Sequence, residues 1–219
     1  MSYLPEDKTK RVIVNLAANI DEFSRLEDLE ARRLYLYGSI CSLDEHSGML
    51  GDKSISMHIV EQIMRYNRED DASGLPPEQR QPIKLYINSP GGDQAEGWAI
   101  ISAIKLSNTP VWTINVGMWA SMAFLIGIAG ARRISMPDMT FLMHDGISVM
   151  GDSTQKALDK AKFDERFEKE VNRRHILQCS SMSAEAYNKH LREEYYMLPE
   201  DALRHGFIDR IAEDISEIF

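Results

Sequence analysis

The chain has 219 residues, of which 43% are hydrophobic, and its formal net charge is −9. This length and hydrophobic content suffice for one sizeable α/β domain with its own core. The negative charge argues against a surface for nucleic acid or for an anionic membrane, because neutralising phosphates requires clustered Lys and Arg.

The N-terminal region and the cysteines predict the compartment in which the protein works. The first twenty residues are charged and lack the apolar core of a secretory signal, and the longest apolar stretch, residues 122–131, is too short to cross a bilayer. We therefore expect a cytoplasmic protein. Cys41 and Cys179 have no metal-ligand partners at standard spacing. We expect reduced thiols, no bound metal and no cofactor.

The N-terminal half alternates predicted strands and helices. Residues 1–30 are interpreted as a polar N-terminal arm, and residues 31–219 as a single domain. Residues 70–82 contain Asp, Gly and Pro pairs that are typical of a surface loop. The hydrophobic periodicity predicts, in order, a strand over 33–38, a helix over 56–66, a strand over 83–88 and a helix around 98–105.

The C-terminal half continues the alternation, which favours parallel strand pairing. The predicted elements are a strand over 111–116, a helix over 120–130, strands over 133–136 and 141–144, a long helix from Asp152 or Ser153 to about Leu177, a short helix over 199–206 and a strand over 207–211. The long helix is mostly charged, with Phe163, Phe167 and Val171 four residues apart. A narrow apolar stripe on a long charged helix predicts an element that projects from the domain.

Two short motifs lie at junctions between predicted strands and helices. Residues 87–92, Ile-Asn-Ser-Pro-Gly-Gly, end a strand in a tight turn, and residues 117–122, Gly-Met-Trp-Ala-Ser-Met, lead from a strand into a helix. Both are places where backbone N–H groups can be left free, and the second contains a serine. Free amides beside a serine hydroxyl are components of an acyl-transfer site.

A serine nucleophile also needs a base, and His144 is distinguished from the other histidines because it ends the apolar strand 141–143. Taken alone, Ser121 is more often a helix N-cap, and His144 is more often a hydrogen-bonded structural residue. Their occurrence together with the glycine turn favours catalysis.

Taken together, residues 87–92, residues 117–122 and Leu142-Met143-His144 resemble the motifs of the proteolytic subunit of the Clp protease. They occur in the family's order, and the similarity extends over about residues 34–211. The resemblance implies an α/β fold, a repeated ββα superhelix shared with crotonases, with a projecting handle helix at about residues 145–178.

The resemblance also implies an assembly and partners. Two seven-membered rings would stack as a homomeric tetradecamer that receives polypeptides from an AAA+ unfoldase of the Clp family. The arm over residues 1–30 would line the axial pore. The partner would use the ATP, because this chain has no Gly-x-x-x-x-Gly-Lys-Ser/Thr loop.

The resemblance assigns roles to individual residues of an ATP-dependent serine endopeptidase. Ser121 would be the nucleophile and His144 the general base. Gly92 and Met122 would donate backbone N–H groups to the oxyanion, and a side chain at Gly92 would crowd the scissile carbonyl. The residues expected to contact the substrate are Gly91 and Trp119.

The acid of the triad is the position at which the sequence departs from the family, which has an aspartate there. Counting back from Gly206 places Glu194 at this position. A glutamate keeps the charge and the acceptor oxygens of an aspartate on a longer side chain. Glu193 and Asp201 are the alternatives, and the acidic run is also compatible with a solvated surface.

Two other functions are compatible with the same sequence. A glutamate in place of aspartate, and Trp119 beside the serine, would suit a catalytically inactive ring subunit. A crotonase-type acyl-CoA enzyme shares the fold and the two-amide oxyanion hole, but it would not need a serine at 121 with a histidine downstream.

Overall fold

The computed structural model describes residues 28–41, 54–146 and 154–219. Nearly all of the predicted arm, and the predicted N-cap of the long helix at Asp152 or Ser153, lie outside the described residues. The division into an arm and one domain therefore stays a prediction.

The described residues form one mostly parallel sheet. Its strands are β1 (Arg33–Tyr37), β2 (Ile83–Ser89), β3 (Val111–Ala120), β4 (Arg132–Ser135), β5 (Thr140–Met143), β6 (Tyr195–Met197) and β7 (Arg210–Ile211). The order is β1-β2-β3-β4-β7, and β5 pairs with both β3 and β6. Among these pairs β5–β6 is antiparallel and the others are parallel. The predicted α/β class with parallel pairing is confirmed.

Strand β3 is longer than predicted and has different partners along its length. Its first half, Trp112 to Asn115, pairs with β4, and its last three residues, Met118 to Ala120, pair with β5. The sequence predicted an end at 116, directly before the motif that begins at Gly117. The extension carries the chain to the edge where β5 ends.

The helices cover the sheet and supply much of the core. They are α1 (Ile55–Ser73), α2 (Gln94–Leu106), α3 (Met122–Gly127), α4 (Thr154–Phe167), α5 (Arg173–Gln178), α6 (Ala184–His190) and α7 (Pro199–Arg204), with short 3-10 turns at Pro77–Gln79 and Ile215–Ile218. Ile59 and Ile63 of α1, Ile101 of α2 and Phe124 of α3 are buried in one cluster with the sheet. None of the helices in the described ranges is long and apolar enough to span a bilayer.

The long predicted helix is present as three joined segments. A π-helical turn, Glu168–Asn172, connects α4 to α5. No residue of α4 is buried, and Leu158 and Phe163 are more than half exposed. Its base is attached to the domain through Trp98 of α2, whose ring packs edge-on against Phe167 and whose Nε1–H donates to Asn172 Oδ1 at 3.1 Å. This is the geometry expected of a projecting handle.

The loop predicted at 70–82 is wrong at its N-terminal end. Helix α1 continues to Ser73, and Asp70 is buried beside Arg32, which donates from Nη1 and Nη2 to its two oxygens at 2.8 and 2.6 Å. The Thr109 hydroxyl donates to the same carboxylate at 2.7 Å. An acidic pair is typical of loops, but here distant residues neutralise one member of the pair. The ion pair between Arg32 and Asp70 ties the end of α1 to the start of β1.

Replacing Asp70 by Asn is expected to lower the free energy of unfolding by about 3 kcal/mol at neutral pH, because the mostly buried Arg32 loses its counter-charge. The hydrogen bonds from Arg32 hold the pKa of Asp70 below its ordinary value. The contribution of the carboxylate is therefore present above the ordinary pKa and is lost as the pH falls through the lowered pKa. Urea denaturation at a series of pH values should show wild type and variant converging in acid.

The matched control is Glu69→Gln, which removes an exposed partner of Arg65 in the same helical turn. Its effect should be below about 0.5 kcal/mol. Equal losses in the two variants would contradict the argument from burial.

Candidate active site

Ser121 lies in a strained turn between a strand and a helix. Strand β3 ends at Ala120, helix α3 begins at Met122, and Ser121 has φ 54° and ψ −122°. A positive φ of this kind costs a non-glycine residue on the order of 1–3 kcal/mol and persists only where surrounding structure imposes it. A serine on such a turn presents its hydroxyl outward, as at the nucleophile elbow of hydrolases.

Among the residues that the structure describes, hydrogen bonds hold the backbone of Ser121 and not its hydroxyl. Its N–H donates to Leu142 O at 3.0 Å, and its carbonyl accepts from the N–H groups of Phe124 and Leu125 at 3.0 and 3.3 Å. The side chain makes no capping hydrogen bond to α3. Ser121 therefore occupies the N-cap position without acting as a cap through its hydroxyl, which contradicts the structural alternative considered from the sequence.

The glycine turn packs directly against the serine turn. A Cβ added at Gly91, where φ is 96°, would lie 2.7 Å from Ser121 Cβ and 2.9 Å from Met122 N. The two sequence motifs, about thirty residues apart in the chain, thus meet at one point. Gly91 makes this approach possible because it has no side chain.

The requirement for glycine at position 92 has a different cause from the one predicted. A Cβ there would lie 2.0 Å from Ile40 O, so the backbone at Ile40 by itself excludes a side chain. Ile40 N donates to Gly91 O at 2.8 Å, and Asp93 N donates to Ile40 O at 2.7 Å. These two hydrogen bonds make a parallel bridge between Ile40 and Gly92. In such a bridge the N–H of the middle residue, here Gly92, points to the opposite side of its strand. The Gly92 N–H therefore faces away from Ile40.

Met122 is the first residue of α3, and its N–H belongs to the first turn of that helix. The N–H groups of a first turn lack intrahelical acceptors and carry the positive end of the helix dipole. The N–H groups of Gly92 and Met122 thus remain the candidates for oxyanion donors. Their role in binding an oxyanion stays a prediction.

The base and the acid face each other across an antiparallel pair of strands. His144 follows β5, Glu194 precedes β6, and the register pairs Met143 with Tyr195. His144 Nδ1 lies 3.2 Å from Glu194 Oε1. The His144 side chain is 14% exposed and that of Glu194 is 56% exposed, so the pair lies at the edge of the solvent.

The other acidic candidates have different partners. Glu193 Oε2 lies 3.3 Å from His190 Nδ1, and Asp201 accepts from Leu198 N at 3.1 Å at the start of α7. The structure brings Glu194 to His144, and neither alternative takes that place. The nearby carboxylate of Glu194 raises the pKa of the Tyr196 phenol.

The second nitrogen of His144 is buried, and among the described residues it has no hydrogen-bond partner. The bond between Ser121 and His144 is therefore not formed in this structure. When Nδ1 carries the proton toward Glu194, Nε2 holds the free lone pair. Pairing of Ala120 with Leu142 places Ser121 and His144 at the same end of β3 and β5.

The prediction that Trp119 contacts the substrate is wrong. Its side chain is 0% exposed and packs edge-on against Phe141 at 5.4 Å between ring centroids. A Cβ at Gly127 would come within 2.3 Å of its ring, so α3 also rests on it. Trp119 supports the serine turn from the core and does not line a substrate pocket.

The sequence reasoning missed His175, which it placed in a charged helix. The residue is 1% exposed, and its Nε2 lies 2.8 Å from Leu125 O in α3. Burial lowers the pKa of His175 to about 4. The signal was available, because His175 continues the four-residue spacing of Phe163, Phe167 and Val171 on the apolar stripe.

Replacing Gly91 by Ala is expected to lower the free energy of unfolding by more than about 3 kcal/mol, since strain at positive φ adds to a clash with backbone and Cβ atoms that cannot rotate away. Gly74→Ala is the matched control, because Gly74 has φ 69° and, in the described part of the chain, an added Cβ meets no non-adjacent residue within 4 Å. That variant should lose about 1 kcal/mol. Chemical denaturation measures both, and equal losses would mean that the contact with Ser121 and Met122 is unimportant.

Comparison with known proteins shows the family of the chain. The family model described as Clp protease matches residues 48–214. An ATP-dependent Clp protease proteolytic subunit of Streptococcus sanguinis is 28% identical over 187 residues, covering 79% of this chain and 91% of the relative. The ATP-dependent Clp protease proteolytic subunit 3 of a Synechococcus species is 32% identical over 162 residues, covering 72% and 76%. Because the family model matches well over half of its length, the chain belongs to the Clp protease family.

Proposed function

We propose that this chain is a serine endopeptidase that cleaves polypeptides through an acyl-enzyme. The observation that carries the proposal is the His144–Glu194 pair at the edge where the strained Ser121 turn ends β3. A base oriented by an acid beside an outward-facing serine is the constellation that activates a hydroxyl.

In the first half of the reaction Ser121 Oγ attacks the scissile carbonyl carbon while His144 Nε2 takes the hydroxyl proton. Glu194 holds the Nδ1–H and stabilises the imidazolium that forms. The N–H groups of Gly92 and Met122 receive the oxyanion, and one such donor is worth roughly 3 kcal/mol in the transition state. His144 then gives its proton to the leaving amine as the peptide C–N bond breaks.

In the second half a water molecule attacks the ester carbonyl of the acyl-enzyme. His144 takes a proton from that water and returns it to Ser121 Oγ as the ester bond breaks. The proton count closes, and Ser121, His144 and Glu194 return to their starting states. No step needs a metal or an organic cofactor.

The names of the relatives support a place in ATP-dependent proteolysis. We propose polypeptides as substrates, an AAA+ unfoldase of the Clp family as the partner that uses ATP, and a cytoplasmic tetradecamer of two heptameric rings as the assembly. The exposed Leu158 and Phe163 on α4 support a role of the handle in joining subunits, because such side chains are covered when helices associate.

One observation favours a second candidate, a catalytically inactive ring subunit. The Ser121–His144 hydrogen bond is absent, since His144 Nε2 has no partner in the described part of the chain. Catalytic hydrogen bonds are often long in resting enzymes and tighten with substrate, so this observation weighs less than the assembled acid–base pair.

Replacing Ser121 by Ala should abolish cleavage of a fluorogenic peptide while the oligomer, measured by analytical ultracentrifugation, remains intact. A fluorophosphonate, which reacts with activated serines, should label wild type at Ser121 and leave the variant unlabelled, as mapped by mass spectrometry. Wild-type rings that neither cleave nor label would favour the inactive subunit.

Glu194→Gln should lower kcat by roughly 10²–10⁴-fold, because the amide keeps the shape of the acid but no longer stabilises the imidazolium. Its neighbour supplies the matched control. Glu193→Gln removes an equal charge from a residue that faces His190, and it should change kcat less than about threefold. Equal loss in the two variants would show that net charge, and not the contact with His144, matters.

A further inference from the structure

Helix α3 carries the proposed oxyanion donor, and its C-terminal end is held by side chains. In a continuing helix Ala129 N would donate to Leu125 O, but it donates to Ile126 O at 3.1 Å instead. His175 Nε2 lies 2.8 Å from the Leu125 carbonyl, and Thr113 Oγ1 donates to Gly127 O at 2.6 Å. A helix of six residues depends on such external partners.

The contacts of the imidazole define its tautomer. A carbonyl only accepts, so His175 must carry its proton on Nε2 to bond Leu125 O. The remaining nitrogen, Nδ1, lies 3.4 Å from Cys179 Sγ and accepts from that thiol. Burial disfavours a second proton on the ring, and burial also raises the pKa of the Cys179 thiol. One neutral histidine therefore donates a hydrogen bond to Leu125 O and accepts one from the Cys179 thiol.

His175 is also the point at which the handle meets the domain. It lies in α5, the segment that continues α4 after the π-helical turn. The ring of Trp98 from α2 packs edge-on against it at 5.3 Å, and Trp98 also donates to Asn172 in the π-helical turn. Lys105 Nζ, the cation of α2 nearest this cluster, lies over Trp98 at 5.6 Å. Helices α2, α3 and α5 converge on one side chain.

We propose that His175 is a positioning residue that fixes α3, and with it the Met122 N–H, relative to the base of the handle. The imidazole binds a carbonyl in the C-terminal half of a six-residue helix. This helix begins at Met122, directly after the serine. Leu125 lies three residues after Met122, about 4.5 Å along the helix axis, so a shift of its carbonyl is expected to reach the Met122 N–H within the same turn. The assignment of a catalytic consequence rests on the proposed peptidase function.

The test compares variants that differ in the hydrogen bond to Leu125 O. His175→Phe keeps a ring without a donor, His175→Leu removes the donor and the ring, and His175→Gln restores an N–H donor on a shorter side chain. Cys179→Ala is the matched control, because it removes the other partner of the ring and leaves α3 untouched. Using two donor-free variants keeps the test valid if one of them fails to fold.

The first readout is amide hydrogen exchange, which does not depend on activity. His175→Phe and His175→Leu should speed exchange in residues 122–129 by about tenfold and leave α6 unchanged, because a buried carbonyl loses its donor. His175→Gln should recover most of the protection, and Cys179→Ala should match wild type. Unchanged exchange in α3, or an equal increase in α6, would overturn the proposal.

The second readout is the split between kcat and KM for a peptide substrate. The donor-free variants should lose about tenfold in kcat with KM within twofold, and labelling of Ser121 by a fluorophosphonate should slow by the same factor. His175→Gln should restore the rate. A wild type without turnover would refute the peptidase function, and the exchange readout would still decide whether His175 holds α3.

Discussion

The candidate site depends on the position of one short strand, β5, between two partners. On one side β5 pairs in parallel with the end of β3, which places the serine turn beside its last residues. On the other side it pairs antiparallel with β6, which brings Glu194 opposite His144. Three residues that lie far apart in the sequence are thus positioned by the register of four residues, Thr140–Met143.

The serine turn keeps a costly backbone conformation because three neighbouring residues hold it in place. Gly91 approaches it from the glycine turn, Trp119 supports it from the core, and Leu142 accepts its N–H. The strain stored at Ser121 is of order 1–3 kcal/mol. This is smaller than the hydrophobic free energy gained by burying Trp119 together with its neighbours. The core therefore sustains this conformation at a serine whose hydroxyl is not engaged in capping.

The sequence predicted the parts of the fold and site that follow from local pattern. Alternating strands and helices, the glycine turn and the candidates Ser121 and His144 are readable from hydrophobic pattern and turn chemistry, whereas the assignment of Glu194 came from the resemblance to the Clp family. The errors at Asp70, Trp119 and His175 have a common cause. Each residue type is usually exposed or catalytic in such a context, and here a distant partner buries it: Arg32 for Asp70, Phe141 for Trp119 and Leu125 for His175. Pairing over long distances has no local signal.

The half-exposed position of Glu194 gives the acid a mobility that a buried aspartate lacks. A glutamate has one more rotatable bond, and ordering its side chain costs up to about 2 kcal/mol of conformational entropy. This is comparable to the net gain from a hydrogen bond to a charged group, about 1.5–3 kcal/mol. The 3.2 Å contact with His144 therefore loses much of its gain to the ordering of the Glu194 side chain. Orienting the base in this chain thus carries an entropic cost that a shorter acidic side chain would reduce.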